Sequence, residues 1–283
     1  MVSTSISCPQ VVDIGVNLTH KAFQNRWKDV VHQSIAAGVD PLVLTGTCVE
    51  RSRQCMRMAQ EWFEETNTPN LYFTVGIHPH DAKTWGDDDD EKTTETALKE
   101  LLLHPLAVAV GECGLDYNRN YSSKEDQRRA FSSQVKLACD CMKPLFLHER
   151  EAHDDLIEIL DEISQTQGSL PPVVVHCFTG TESEAMAYVE RGFYLGFTGT
   201  ICKNERGAPL RALLPRIPLD RIMVETDAPF MGFKKGKRKS SVPADCPDVA
   251  RQIATTLGVS FEEVCETTTL TAQTFFGLNP PQN

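Results

Sequence analysis

The sequence predicts an α/β protein folded as a single (β/α)8 barrel of the TIM type, and three observations carry that expectation. Eight short β-rich runs recur along the chain, at Val11–Val16, Leu42–Gly46, Leu71–Gly76, Ala107–Glu112, Leu145–His148, Val173–His176, Phe193–Phe197 and Ile222–Thr226. Their ends fall 21 to 36 residues apart, the repeat of a strand followed by a helix. Their apolar residues run continuously instead of alternating with polar ones, as in parallel strands covered on both faces. Eight such units over roughly 250 residues have the size and rhythm of a barrel.

The elements follow in order. Met1–Gln10 is polar and uncharged, without the basic start and apolar stretch of a secretory signal, and reads as an N-terminal extension ahead of a barrel domain at 11–283. After the first strand Gly15 is followed by Val-Asn-Leu, not by a glycine-rich phosphate turn, so an open doubly wound sheet is the second choice of fold. The acidic run Asp87–Glu91 reads as a solvated loop and helix start, where negative charge complements the helix dipole. Pro105, Pro144 and Pro172 stand just ahead of strands, where they cost no ladder bond. In Glu125–Met142 the residues Phe131, Val135, Ala138 and Met142 make one helical stripe. Ser122 with Glu125, and Thr181 with Glu184, have capping-box spacing, and Gly192 is placed to stop the second of these helices. Trp27, Trp62 and Trp85 read as packing residues.

Composition excludes several classes. The 283 residues are 41% apolar and 24% charged, which argues against disorder and fibrous repeats. No apolar run approaches the roughly 20 residues that span a bilayer, so no membrane partner is expected. With 28 Lys+Arg against 39 Asp+Glu the formal charge is −11, and a polyanion could approach only over a local basic patch or a bound cation. The ten cysteines form no CxxC pair, so neither a disulfide framework nor a structural zinc is expected. Reduced thiols point to a cytoplasmic location, or a nuclear one in a eukaryotic source.

The strand ends carry the chemistry. His78 and His80 follow the third strand, the fourth ends at Glu112, the fifth at His148, the sixth at His176 and the eighth at Asp227. In a barrel these positions surround one mouth. A buried strand that finishes in His or Glu places a costly polar group at the core edge, and five doing so together point to a metal or catalytic cluster. Imidazoles with carboxylates suit Zn²⁺ or Mn²⁺ and, with more water, Mg²⁺. Hydrolysis by an acidified water is the natural chemistry of such a site. Cys113 and Cys177 adjoin two of these residues, but strand alternation turns them to the opposite side.

At these positions the chain resembles the TatD family of metal-dependent deoxyribonucleases. The resemblance is carried by Asp13-Ile-Gly-Val-Asn-Leu-Thr19, Gly76-Ile-His-Pro-His-Asp81, Val110-Gly-Glu-Cys-Gly-Leu-Asp-Tyr117, Phe146-Leu-His148, Val174-Val-His-Cys-Phe-Thr-Gly180 and Val224-Glu-Thr-Asp-Ala-Pro229. It implies a TIM-type barrel and phosphodiester hydrolysis, with 3′→5′ exonuclease action on single-stranded DNA, and on RNA as a second substrate, in the TatD branch. It further implies Glu112, His148 and His176 as ligands of one or two divalent ions, with Glu112 able to bridge them. Asp227 is implied as a ligand that also orients or deprotonates the attacking water, and His78 as a group beside the scissile phosphate. His80, Asp116 and Arg150 are further substrate-binding candidates. Mg²⁺ is the first expectation for the ion, with Zn²⁺ or Mn²⁺ as alternatives.

Two departures from the family pattern stand out. Most members carry His-x-His after the first strand, whereas this chain, like the TatD branch, has Gly15 and Asn17. Asn17 remains a candidate ligand, weaker than imidazole. Ser241-Val-Pro243 stands where an Asn-Glu-Pro stretch is expected, which should alter hydrogen bonding behind the site. The basic run Lys234–Lys239, with Lys234 and Lys235 leading, reads as a phosphate clamp in the last barrel loop. The alternatives to a nuclease are a small-substrate metallohydrolase acting on an ester, lactone or amide, and a non-catalytic binding barrel. No obligate protein partner is evident, and repair and degradation of DNA are both compatible with the reading.

Overall fold

Each apolar run becomes a strand because its neighbours on both sides supply parallel hydrogen bonds and its two faces meet apolar layers. The computed structural model describes residues 9–86, 88–234 and 240–278. The strands are β1 (Val11–Val16), β2 (Val39–Leu44), β3 (Leu71–Val75), β4 (Ala107–Asp116), β5 (Leu145–Arg150), β6 (Val173–Val175), β7 (Tyr194–Phe197) and β8 (Ile222–Val224). They pair in sequence order and all in parallel. Helices α1 (Trp27–Ala36), α2 (Val49–Thr66), α3 (Asp88–Leu102), α4 (Lys124–Cys141), α5 (His153–Gln167), α6 (Glu182–Glu190), α7 (Asn204–Leu213) and α8 (Cys246–Leu257) alternate with them, and α9 (Phe261–Phe276) follows. The barrel is the fold expected from the spacing. No helix among the described residues is long and apolar enough to cross a membrane.

The seam between β8 and β1 closes differently from the other pairings. One bridge joins Val16 to Ala228. The Asp227 N–H donates to the Gly15 carbonyl at 2.9 Å and the Asn17 N–H to the Ala228 carbonyl at 2.8 Å. Below them the buried Asp13 carboxylate accepts from the N–H of Thr226 at 2.9 Å and from its hydroxyl at 2.5 Å. Burial pushes the Asp13 carboxyl well above the usual range despite these bonds. Asp13 thus does by side chain what a ladder bond does elsewhere, and holds the strand that carries Asp227.

Side-chain alternation sorts the apolar residues into two layers. Val12, Ile14, Val43, Tyr72, Val108, Phe146, Val174 and Met223 fill the barrel interior. Phe275, Phe276 and Leu278, at the end of α9, join that cluster and plug one end of the barrel. Trp62 of α2, Phe131 and Val135 of α4 and Ile253 of α8 lie in the other layer, between strands and helices. Trp85 is buried there too, as its reading as a packing residue required.

Two local expectations shift. The cap of α4 is Ser123, whose Oγ accepts from the Asp126 N–H at 3.1 Å, one residue beyond the expected Ser122. Ser122 is occupied elsewhere, donating to the His80 carbonyl at 3.0 Å and accepting from the Lys83 N–H at 3.1 Å, and so tethers the β3 loop to the β4 loop. Met142 leaves the apolar stripe: it caps α4 in left-handed backbone and is 87% exposed. The Thr181–Glu184 capping box of α6 is present as expected. The nine cysteines among the described residues are free thiols.

Because Phe276 closes the interior from below, Phe276→Ala is expected to cost about 3 to 5 kcal/mol. Urea unfolding measures this, and a loss under about 1 kcal/mol would mean that the plug does not support the barrel.

Candidate metal centre

The site begins with an irregularity in β4. Gly111 lies opposite Phe146 and Cys113 opposite Leu147, so Glu112 is one extra residue in the pairing with β5. Without it, alternation from the outward Val110 would send the Glu112 side chain to the helix layer; the bulge turns it into the barrel mouth and leaves Cys113 facing outward. Gly111 is required beside it, because its φ is +141° and a Cβ would run into the Phe146 carbonyl. The Glu112 N–H, taken out of the regular ladder, donates to the Gly46 carbonyl at 2.7 Å.

Three imidazoles gather around Glu112 Oε1: His176 Nε2 at 2.8 Å, His148 Nδ1 at 3.0 Å and His78 Nε2 at 3.2 Å. They come from three different strand ends, and Glu112 itself is 5% exposed. Burial would push its carboxyl up, but the charges of His78 and His176 and the bonds from His148 and His176 hold it well below the usual range.

The far nitrogens of the rings divide the histidines into two kinds. His176 Nδ1 lies 3.2 Å from Glu225 Oε2, and His148 Nε2 lies 3.4 Å from Asp116 Oδ2. The Glu225 carboxylate hydrogen-bonds the far nitrogen of His176 and so aims its near nitrogen forward, the arrangement of metal-ligating histidines, whereas His148 Nε2 is near Asp116 without a hydrogen bond to it. Burial opposes protonation of both rings, yet Asp116 and Glu112 raise His148, and Glu112 and Glu225 raise His176 well above the usual histidine range. His78 is different. Its Nδ1 accepts the His80 N–H at 3.0 Å, so a neutral ring carries its proton on Nε2, toward the mouth. Burial lowers it, with the charge of Glu112 opposing and that of His148 adding. Among the described residues His78, Glu112 and His148 bring ligand atoms within 4.8 Å of one another, with His176 on the other side of Glu112. Imidazole nitrogens converging on one carboxylate oxygen need either protons or a cation among them, so the donor set fits a divalent ion.

Asp227 completes the centre from the seam. Asn17 Nδ2 donates to its Oδ1 at 2.9 Å, so the amide braces the carboxylate. Burial pushes Asp227 up to about 7, with Glu112 and Glu225 adding repulsion while His176 and Asn17 oppose it. The place of the missing histidine at position 15 is explained by Glu225, which is fully buried. A Cβ on Gly15 would strike its Oε2 and a Cβ on Gly196 its Oε1. Two glycines thus leave the cleft in which Glu225 accepts the Cys177 N–H at 2.5 Å and backs His176.

The remaining expected residues are arranged around this centre. His80 Nε2 lies 2.8 Å from Asp116 Oδ2, and Asp116 Oδ1 accepts from the N–H groups of Asn118 and Arg119. Asp116 is 1% exposed and bridges His80 to His148, beneath the mouth and away from solvent. Arg150 is exposed and makes no ion pair among the described residues. Lys234 Nζ is engaged by Asp245 at 2.9 Å and Asp248 at 2.7 Å; the rest of the expected clamp, 235–239, lies outside the described residues. Cys177 does not follow strand alternation, since its backbone is left-handed and the charges of Asp227 and Glu225 act on its thiol. Ser241 Oγ donates to the carbonyls of Thr226 and Phe230 behind the site. Sequence reasoning missed Glu225 and the exposed ring of Tyr121, which stands edge-on to His80 at 4.7 Å. The signal for Glu225 was an acid at the end of an apolar strand, two residues before Asp227.

Comparison with known proteins agrees with this geometry. A family model described as TatD related DNase matches residues 12–277. The chain is 40% identical over 271 residues to a protein of Escherichia fergusonii named 3′-5′ ssDNA/RNA exonuclease TatD, covering 94% of this chain and 99% of that one. It is 39% identical over 270 residues to the protein of the same name from Escherichia coli strain K12, covering 94% and 98%. Among solved structures it superposes on a TatD family hydrolase from Entamoeba histolytica with a TM-score of 0.84 at 24% identity, covering 95% and 98% of the two chains. It also superposes on the TatD homologue YJJV from Escherichia coli k12 with a TM-score of 0.83 at 25% identity, covering 96% and 99%. The chain belongs to the TatD-related DNase family.

Proposed function

We propose that the chain is a metal-dependent nuclease that removes nucleotides from the 3′ end of single-stranded DNA, with RNA as a second substrate. The observation that carries this reading is the cluster of His78, His148 and His176 around Glu112 at the mouth of a TatD-family barrel. Its relatives named as 3′-5′ ssDNA/RNA exonucleases support the direction and the substrate.

In this reading Glu112, His148, His176 and Asp227 hold the divalent ion or ions. Bound there, the ion would lower the pKa of a water molecule and offset the charge that develops on the phosphoryl oxygens. Three imidazoles near one carboxylate suit Zn²⁺ or Mn²⁺ for tight occupancy, and Mg²⁺ where water completes the shell. His78 donates its Nε2 proton to a non-bridging phosphate oxygen. Asp227, braced through Oδ1 by Asn17, keeps Oδ2 for the ion or for a proton of the attacking water. Asp116 and Glu225 stand behind the ligand rings and do not touch substrate.

The decisive experiment uses single-stranded DNA labelled at the 5′ end and protein stripped of metal, then supplied with Mg²⁺, Mn²⁺ or Zn²⁺. A ladder shortening from the 3′ end, abolished by chelator, is expected; internal cuts would reject the exonuclease direction, and no cleavage with any ion would reject the nuclease. Glu112→Ala should lose at least about 1,000-fold in rate, on the order of an electrostatic catalytic group, while keeping its circular dichroism. A folded Glu112→Ala protein with normal activity would remove Glu112 from the mechanism.

Glu225→Gln keeps the shape of the side chain but not its charge. Metal affinity, measured by competition with a chromogenic chelator, should fall about 10- to 100-fold; an unchanged affinity would show that Glu225 only fills the space between Gly15 and Gly196.

The pH dependence has a definite sign. Asp227, His148 and His176 all bind protons more tightly in the metal-free fold than in the unfolded chain, so each contributes stability at low pH that is lost as pH rises through its folded value. For Asp227 that loss runs from about 4 up to about 7. Metal binding displaces these protons and becomes stronger over the same rise. The increase in melting temperature on adding Mn²⁺ should therefore be larger at pH 8 than at pH 6. An equal or smaller increase at pH 8 would contradict the assignment of these groups as ligands.

A further inference from the structure

A second feature lies beside the centre, on the loop that joins β1 to α1. Loop residues between Leu18 and Arg26 and the first turn of α1, with Arg51, Gln54 and Met58 of α2, line an open cavity of about 610 Å³. The volume is within the roughly 300 to 1,000 Å³ of small-ligand sites. Lys21, Arg26 and Arg51 are exposed on its wall and make no ion pair among the described residues, while Lys28 is taken up by Glu61 and Glu65. Arg51 meets only neutral partners, donating to the Thr19 carbonyl at 3.1 Å and to Gln54 at 3.0 Å. Asp29 is the one acid among the lining residues. On a chain of formal charge −11 this is a concentration of uncompensated positive charge.

The chain itself links the wall of this cavity, which begins at Leu18, to the mouth. The loop leaves the site at Asn17, whose carbonyl accepts the His20 N–H at 3.0 Å. His20 stands edge-on to Phe230 with ring centroids 5.4 Å apart, and Phe230 is 48% exposed three residues after Asp227. Partial burial and then the charges of Lys21 and Arg51 lower the His20 imidazole, so both cations act on that ring. An exposed aromatic ring followed by a row of free cations is the composition of a surface for single-stranded nucleic acid: the ring stacks a base and the cations follow the phosphates.

We propose that this groove binds the single strand on the 5′ side of the scissile bond, with Phe230 stacking on a base and Lys21, Arg26 and Arg51 meeting successive phosphates. The proposal rests on the nuclease reading, and it places backbone contacts on the first barrel loop.

The test measures binding of fluorescein-labelled dT12 by anisotropy across a salt series, in a Glu112→Ala background, beside steady-state cleavage of dT12 and of a dinucleotide by otherwise wild-type protein. In the Lys21→Ala/Arg26→Ala double variant, dT12 should bind about tenfold more weakly. The slope of log K against log salt should flatten by about 1.4, at roughly 0.7 per phosphate contact on a single strand. The ratio of kcat/KM for dT12 to that for the dinucleotide should fall about tenfold. Phe230→Ala should cost dT12 on the order of tenfold in affinity, and Phe230→Tyr should restore it. Lys21→Glu alone supplies a second reading of the salt slope if the double variant does not fold. Wild-type cleavage with an unchanged slope and unchanged length dependence in the variants would overturn the groove and leave the nuclease standing. Failure of the wild-type protein to cleave either substrate would overturn the nuclease reading itself, and the proposal with it.

Discussion

The negative charge of Glu112 is the constraint around which the mouth of this barrel is organised. It is buried, and among the described residues no lysine or arginine reaches it. An uncompensated buried carboxylate costs several kcal/mol, so positive charge must be supplied by protons on the surrounding imidazoles or by an ion. The protein prepares for either. His148 and His176 each have a carboxylate behind them, which makes the protonated ring tolerable without metal, and the bond to Glu225 keeps the near nitrogen of His176 well aimed with it. A lysine in their place would neutralise Glu112 permanently and leave nothing for an ion to do.

The same logic reaches the substrate. A chain of formal charge −11 repels nucleic acid at a distance, and its centre adds Glu112, Asp116, Glu225 and Asp227 within a small volume. Binding a polyanion there requires that positive charge be concentrated where the strand passes. The ion-binding centre and the cations of the first barrel loop answer that requirement at the reacting phosphate and beyond it. Elsewhere lysines and arginines are drawn into surface ion pairs, as Arg128, Arg191 and Lys234 are, and such residues cannot serve a phosphate without first giving up their partners.

Much of this was legible in the residues themselves. Continuous apolar runs at a steady spacing identify parallel strands because only a strand covered on both faces tolerates them, and a polar residue closing such a run marks the rim. That reasoning placed Glu112, His148, His176 and Asp227 at the rim before any geometry. It was less reliable where two residues could do the same work. Ser122 and Ser123 are equal as caps by type, and contact with His80 and Lys83 decides between them. Met142 has the spacing of the α4 stripe but falls where the helix turns out of its backbone.

By itself the sequence determined the barrel, the order of its strands and the residue types at the mouth, since these follow from periodicity and from the cost of burying polar groups. Only the tertiary structure decided how those residues act. The extra residue that turns Glu112 inward is a matter of pairing between β4 and β5 and leaves no mark on local hydropathy. The role of Gly15 appears only when Glu225, 210 positions away, occupies the space its side chain would fill. Which nitrogen of each histidine faces the centre depends on what stands behind the ring: a carboxylate for His148 and His176, a backbone N–H for His78. These are contacts between residues far apart in the chain, and their energies exist only once closure of the barrel has brought the strand ends together.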